Sequence, residues 1–330
     1  MLDRTMLYDT IYALAACNGR EAELFGSCAS LARQAFARSL AGSGFPELWF
    51  ELPLAGEPWF DLHALASHDQ LDAGTTFASE TCGGCPEAFA WFAHRGPEAR
   101  QLALSWDVSA GDLEQPAVQL LVNTWDPEVT CDFLVSAGRP DATGAYLTFS
   151  GRLPRDWYAC YAGVFPRRTV PFLRVECIPT TELQQAYATD PALLREHMQQ
   201  AGLDQLGDTL VPWCQHLAGT PFQLEFQFDV DPQGSARGTV GASVRFAAPV
   251  GGSRSKPFRP DAEGGELMRQ AMAWGLVDER WHLLADTAFA KRLTYGSESA
   301  LLYCFPAFLK LRWRDGEPLD AKAYLIAGIQ

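Results

Sequence analysis

The amino-acid sequence predicts an α+β fold: a ten-stranded antiparallel β-barrel ringed by α-helices in αββα repeats, with residues 1–330 forming one barrel domain. Three observations predict it. About ten stretches alternate apolar and polar residues, and they arrive mostly as pairs joined by turn signals. Helical stretches fall between the pairs, whereas parallel βαβ units would give single strands and continuous apolar runs. The polar strand faces carry acids, bases, amides and Trp, which suits a sheet that curls until its edges meet around a lumen.

Taken in order, residues 5–17 and 21–41 read as two helices separated by Asn18-Gly19, and Gly42-Ser43-Gly44 ends the second. Glu47–Leu52 and Trp59–His63 alternate on either side of the turn Ala55-Gly56-Glu57-Pro58. One face of this pair holds Glu47, Trp49, Glu51, Trp59, Asp61 and His63, and the other holds Phe50, Leu52, Phe60 and Leu62. Pro86 suits the first turn of a helix over Glu87–His94, which Gly96-Pro97 stops. Strands are expected near 100–109, 116–125, 130–137 and 145–150, while 154–163 fits either helix or strand. Phe172–Ile178 places Arg174 and Glu176 opposite Leu173, Val175 and Cys177.

Helices follow over 181–201, broken at Asp190-Pro191, and over 205–218, where Pro212 imposes a kink or a shorter helix. Phe222–Val230 is the clearest strand, with Gln223, Glu225, Gln227 and Asp229 on its polar face, and 237–247 is its partner. A Gly, Ser and Pro-rich loop over 249–260 leads to helices near 263–276 and 279–292. The chain closes with a hairpin, Leu301–Arg314 and Leu319–Ile326 around Asp315-Gly316-Glu317-Pro318. Leu309, Leu311 and Trp313 share one face of it; Lys310, Arg312, Lys322 and Tyr324 belong to the other.

Forty Asp and Glu against 26 Lys and Arg give a net charge of −14. Such a field repels polyanions, so nucleic acid and acidic membranes are not expected partners. It also singles out the basic face of the last hairpin, whose cations belong to no general basic surplus. Nine cysteines, odd in number and scattered through apolar segments, fit a reduced, cytoplasmic setting. Leu14-Ala15-Ala16-Cys17 has the look of a lipoprotein cleavage site, but Asp9 interrupts the short apolar run before it. No stretch approaches the ~20 apolar residues of a membrane-spanning helix.

The basic set Lys310, Arg312, Lys322 and Tyr324, with Arg174 and Arg245 added from other strands, has the chemistry of a diphosphate site. Spread anionic charge needs donors converging from several strands, and Tyr supplies a neutral donor where another cation would repel. The competing reading is a solvated sheet face. Glu47, Glu51, Asp61 and Glu225 are candidate proton acceptors, or else counter-ions to those cations. Trp49 and Trp59, with Trp125, would stack on a planar substrate or shield a carbocation, or simply fill the barrel, and His63 is the histidine placed on the same faces. Cys82-Gly83-Gly84-Cys85 before a helix is a redox spelling without the surrounding thioredoxin-like pattern.

No dinucleotide fingerprint, phosphate loop, nucleophile elbow, zinc signature or Asp-Asp-x-x-Asp magnesium cluster occurs, so neither cofactor nor metal is expected. Any diphosphate would be held by cations directly.

The strand and helix order, with lumen faces rich in Lys, Arg and Tyr, resembles the aromatic prenyltransferases of the ABBA barrel type. Lys322-Ala323-Tyr324 is similar to the Lys-x-Tyr pairs with which the indole-prenylating branch holds diphosphate, and Gly44-Phe45-Pro46-Glu47 is loosely similar to the opening that supplies its proton-accepting glutamate. That family usually carries several Lys-x-Tyr pairs; this chain has one. The resemblance implies a metal-independent transfer of a prenyl group from an allylic diphosphate to an aromatic acceptor. In it Glu47 or Glu51 takes the proton, Arg174, Arg245, Lys310, Arg312, Lys322 and Tyr324 meet the diphosphate, and Trp49, Trp59, His63 and Glu225 meet substrate. The alternatives are a small-molecule-binding barrel without catalysis and a thiol redox protein built on Cys82 and Cys85.

Overall fold

The computed structural model describes residues 21–28, 47–67, 85–107, 112–124, 126–165, 172–246, 263–295 and 298–329. Its strands are β1 (Glu47–Pro53), β2 (Asp61–Ser67), β3 (Ala99–Asp107), β4 (Asp112–Val122), β5 (Trp157–Val164) and β6 (Leu173–Pro179), then β7 (Gln223–Val230) and β8 (Ala236–Arg245). The last three are β9 (Phe289–Tyr295), β10 (Glu298–Arg314) and β11 (Glu317–Ile329). β1 to β8 pair in sequence, β8 pairs with β10, β10 with β11, and β11 with β1, all antiparallel. Ten strands therefore close into a barrel. β9 is an eleventh, paired with Glu298–Cys304 of β10 where β8 no longer reaches.

Closure sends alternate side chains inward, and two bulges change which ones those are. On β10 the register shifts between Pro306 and Phe308. Before it Cys304 joins the outer core and Phe305 an inner cluster; after it Phe308 lies inside, while Leu309, Leu311 and Trp313 face out. On β5 the shift between Ala159 and Tyr161 does the same. Trp157 points outward onto Phe226, ring centroids 4.7 Å apart, while Tyr161 lines the lumen.

Helices cover the outside: α1 (Glu21–Phe25), α2 (Pro86–Arg95), α3 (Pro127–Ser136), α4 (Ala142–Ser150), α5 (Thr181–Thr189) and α6 (Pro191–Gln200), then α7 (Leu210–Ala218), α8 (Glu263–Ala273) and α9 (Leu283–Asp286). Two of them correct the sequence reading, since 130–137 and 145–150 are helical rather than extended. β-branched and aromatic composition favoured strands there, but the buried residues repeat at helical spacing: Val129 with Phe133, Thr130 with Leu134, and Ala142, Ala145, Tyr146 and Phe149. Asp126 also caps α3, accepting from the Glu128 amide at 2.9 Å, with Pro127 at the first position.

The helix expected over 279–292 ends early. A 3₁₀ turn and α9 stop at Asp286, and Phe289–Tyr295 becomes β9. Pro212 does not kink α7, because the helix begins only at Leu210 and the proline falls in its first turn. The break at Asp190-Pro191 is as expected, with Asp190 capping α6. The segment 154–163 resolves as strand β5. Most of the two N-terminal helices, the 249–260 loop, Cys82, Trp125 and Gly44-Phe45-Pro46 lie outside the described residues. Among the described residues no helix is long and apolar enough to cross a membrane.

The main core lies between the barrel wall and the helices, and a second apolar cluster of Phe305, Ala307, Phe308, Tyr324 and Ile326 lies inside the barrel. The hairpin joining β10 to β11 turns at Asp315 and Gly316, whose φ angles of 51° and 84° are those of a type I′ turn. Its tip abuts the loop before α7, and a Cβ on Gly316 would sit 2.7 Å from the Gly207 nitrogen. Trp313 Nε1 donates to Thr209 Oγ1 at 3.0 Å beside this contact. Replacing Gly316 by Ala is expected to cost about 1–3 kcal/mol, from the positive φ and the backbone clash together. Gly56→Ala, at a φ of 80° with nothing within 4 Å, should lower the denaturation midpoint less than Gly316→Ala does.

Candidate active site

Strand register brings polar side chains from distant parts of the chain into the lumen. β1 and β2 pair Trp49 with His63, β2 and β3 pair His63 with Ser105, and β1 and β11 pair Glu51 with Tyr324. On the far wall Arg174 pairs with Asp229, Glu176 with Gln227, and Lys310 with both Ser243 and Lys322. The lumen forms two adjoining chambers, an upper one with a cavity volume of about 370 Å³ and a lower one of about 70 Å³. Glu51, His63, Gln119, Arg174 and Lys310 line both and so mark the junction.

The upper chamber is the charged one. Lys322 Nζ donates to Glu51 Oε1 at 2.5 Å and lies over the Trp59 ring, 4.9 Å from its centre. Arg174 Nε donates to Asp229 Oδ1 at 2.8 Å, and Arg312 is paired with Asp320. Lys310, only 5% exposed, donates to Gln227 Oε1 at 3.2 Å and sits 4.6 Å over the Tyr324 ring. Its pKa falls to about 8: burial penalises the ammonium, Glu51 and Glu176 counteract, and Arg174 and Lys322 add repulsion. Glu51 is held well below the usual carboxylate range; burial pushes it up, but Lys322, Lys310 and His63 outweigh that. Tyr324 goes well above the ordinary phenol value through burial and its contact with Glu51, and so remains a neutral donor.

The lower chamber is aromatic. Trp49 lies 5.1 Å from Phe308 and Phe308 5.9 Å from Tyr324; Tyr161, Leu65 and Leu121 share its wall with the polar Glu176, Gln227 and Ser243. Arg245 stacks on Phe308 at 4.7 Å, and its Nε lies 2.9 Å from Oε1 of Glu225. That contact is an ion pair without hydrogen-bond alignment: Glu225 is fully buried, and neither of its oxygens has a hydrogen-bond partner among the described residues. Burial pushes its carboxyl up to about 7, against the pull of Arg245 and with the repulsion of Glu176.

No protein-family model and no curated protein matches the chain by sequence. Solved structures do. The apo form of the prenyltransferase PriB matches with a TM-score of 0.53 at 13% identity, covering 97% of this chain and 94% of that one. A ternary complex of PriB with L-tryptophan and dimethylallyl thiolodiphosphate matches at 0.48 and 14% identity over the same shares. The likeness is one of fold. It is that of a prenyltransferase-like barrel.

Of the residues singled out in the sequence, Trp49, Glu51, Trp59, Asp61, His63, Arg174, Arg245, Lys310, Arg312, Lys322 and Tyr324 line one chamber or both. Arg245 stands apart from the other cations, in the aromatic chamber alone. Trp59 reaches the charged chamber from the segment before β2 rather than from a strand, which begins at Asp61. Glu47 lines neither chamber, and its carboxylate accepts from Trp49 Nε1 at 2.6 Å and Tyr303 Oη at 3.0 Å. Glu225 lies behind Arg245 rather than in the chamber wall.

Glu176, Gln119, Gln227, Ser105, Ser243 and Tyr161 are lumen residues that were not singled out. The signal for Glu176 was its shared face with Arg174. The Cys85 thiol is pushed up by burial and by Glu87, the reverse of an activated thiolate.

Because Glu225 is raised from 4.5 to about 7, the folded chain keeps a proton there that the unfolded chain releases. That stabilisation is fully present below pH 4.5 and is lost as pH rises to about 7. A Glu225→Gln variant lacks the dependence, so its denaturation midpoint should gain on that of the parent across this window.

Proposed function

We propose that the chain is a metal-independent aromatic prenyltransferase, moving a prenyl group from an allylic diphosphate to an aromatic acceptor inside the barrel. The observation that carries this reading is the division of one lumen into a charged and an aromatic chamber that meet at Glu51 and Lys310. Fold similarity to a prenyltransferase adds to it. Lys310, Lys322, Arg174 and Arg312, from β6, β10 and β11, would meet the diphosphate from different directions, with Tyr324 as a neutral donor on the aromatic side of the junction.

The reaction then follows from placement. The allylic C–O bond breaks with its electron pair going to the diphosphate, whose charge the cations stabilise. Trp49, Phe308 and Tyr324 offer ring faces to the allyl cation on the aromatic side, and Trp59 does so at the charged end. The acceptor's π electrons form the new carbon–carbon bond, and its displaced proton goes to a carboxylate. Glu51 suits that task better than Glu47, since it lies at the junction and Glu47 is occupied by Trp49 and Tyr303. The low basicity of Glu51 has its source in Lys322 and Lys310, and a diphosphate that draws these lysines to itself would raise it.

Incubation with dimethylallyl diphosphate, a panel of indoles and phenols, and EDTA should yield a prenylated product by mass spectrometry. Lys322→Met and Arg174→Met should each lower kcat/KM by about 10–100-fold, the worth of one charged hydrogen bond of ~1.5–3 kcal/mol. Thermal protection by the diphosphate with no product from any acceptor would replace this reading by that of a non-catalytic binder.

A further inference from the structure

A carboxylate that takes a proton inside a closed barrel must give it up before the next turnover, and Glu51 has little contact with solvent: its side chain is 12% exposed and Lys322 holds one of its oxygens. Its other oxygen, Oε2, lies 3.2 Å from His63 Nε2. The same ring presents Nδ1 to Ser105 Oγ at 2.5 Å. Ser105 lines the charged chamber only, where Asp61 and Asp107 also lie.

The geometry points to a proton relay from Glu51 through His63 to Ser105, emptying into the charged chamber. This inference rests on the reading above, in which Glu51 receives the acceptor's proton.

The three groups stand on successive strands, and the register fixes their order, since His63 and Ser105 are directly opposed. A neutral imidazole accepts at one nitrogen while donating at the other, which suits it to pass a proton between two oxygen groups. The protonated Glu51 gives its proton to Nε2 while the Nδ1 proton passes to Ser105, whose own hydroxyl proton leaves to water. One proton enters and one leaves, and exchange with water restores the tautomer.

Of the other titratable groups near the ring, Asp61 on β2, Asp107 on β3, Arg312 on β10 and Lys322 on β11 line the charged chamber into which Ser105 empties. Tyr324 from β11, 5.9 Å from the imidazole, stays a neutral donor; Lys310 from β10 and Arg174 from β6 are cations, and Glu176 from β6 stands on the opposite wall. The order Ser, His, Glu is also that of a hydrolytic nucleophile. However, Ser105 is opposed to His63 on one side and Ala117 on the other, inside a strand rather than on the sharp strand-to-helix turn that exposes a hydrolytic serine.

The test compares the wild type with His63→Gln and Ser105→Ala in prenyl transfer from dimethylallyl diphosphate, across pH and with added imidazole. Expected is a fall in kcat of His63→Gln on the order of tenfold to a hundredfold, with KM for the diphosphate nearly unchanged, loss of the acidic limb of the pH profile, and partial rescue by imidazole. Ser105→Ala should lose less, and it carries the test if His63→Gln does not fold. An active wild type whose variants keep its kcat and pH profile, or a loss that imidazole does not restore, overturns the relay alone. A wild type that yields no product overturns the relay together with the reading it rests on. Labelling of Ser105 by a fluorophosphonate overturns it in favour of a nucleophile.

Discussion

The pairing of β1 with β11 joins residues 47–53 to 322–328 and turns a curled sheet into a tube. Everything inside depends on that seam. It sets Glu51 against Lys322 and Tyr324, some 270 residues further along the chain, and it leaves no edge between the first and last strands of the ring. The hairpin that supplies β11 is in turn fixed from outside. Trp313 is hydrogen-bonded to Thr209 at the start of α7, and the turn rests on Gly207 with no room for a side chain. Helix packing and lumen chemistry are thus two faces of one pair of strands.

Bringing so many charges out of water imposes an order on them. Each Arg or Lys of the charged chamber is matched by an acid or amide of another position: Lys322 by Glu51, Arg174 by Asp229, Arg312 by Asp320, Lys310 by Gln227. Isolated, any of them would carry a desolvation cost of several kcal/mol, which pairing and hydrogen bonding offset only where the geometry is good. The shifts at Lys310 and Glu225 record where the offset is incomplete.

The barrel and most of its lumen were legible because alternation at period two is robust where one face meets a core and the other does not. Arg174, Lys310, Arg312, Lys322 and Glu51 could be placed from parity alone. What was not legible has identifiable causes. Bulges at Pro306/Phe308 and Ala159/Tyr161 reverse the parity within a strand, so Phe305 and Tyr161 did not announce themselves as inward-facing. Val129–Val135 and Tyr146–Phe149 have the composition of strands, and only their packing against the barrel wall shows the helical spacing. Parity also says nothing of depth, which is why Glu47 and Glu225, on the expected faces, lie outside the chambers.

The matched charges of the upper chamber carry a consequence for selectivity. An anion entering there adds no ion pair to an empty site; it replaces partners that are already in place. Its affinity is then the difference between two sets of contacts, and a lone carboxylate gains little by displacing Glu51 or Asp229. Only a ligand whose negative charge is spread over several oxygens can satisfy Lys310, Lys322 and Arg174 at the same time and so exceed what it removes. On the proposed reading, the internal acids would act in this sense as a filter, setting a threshold of charge and size below which small anions of the surrounding solution are turned away.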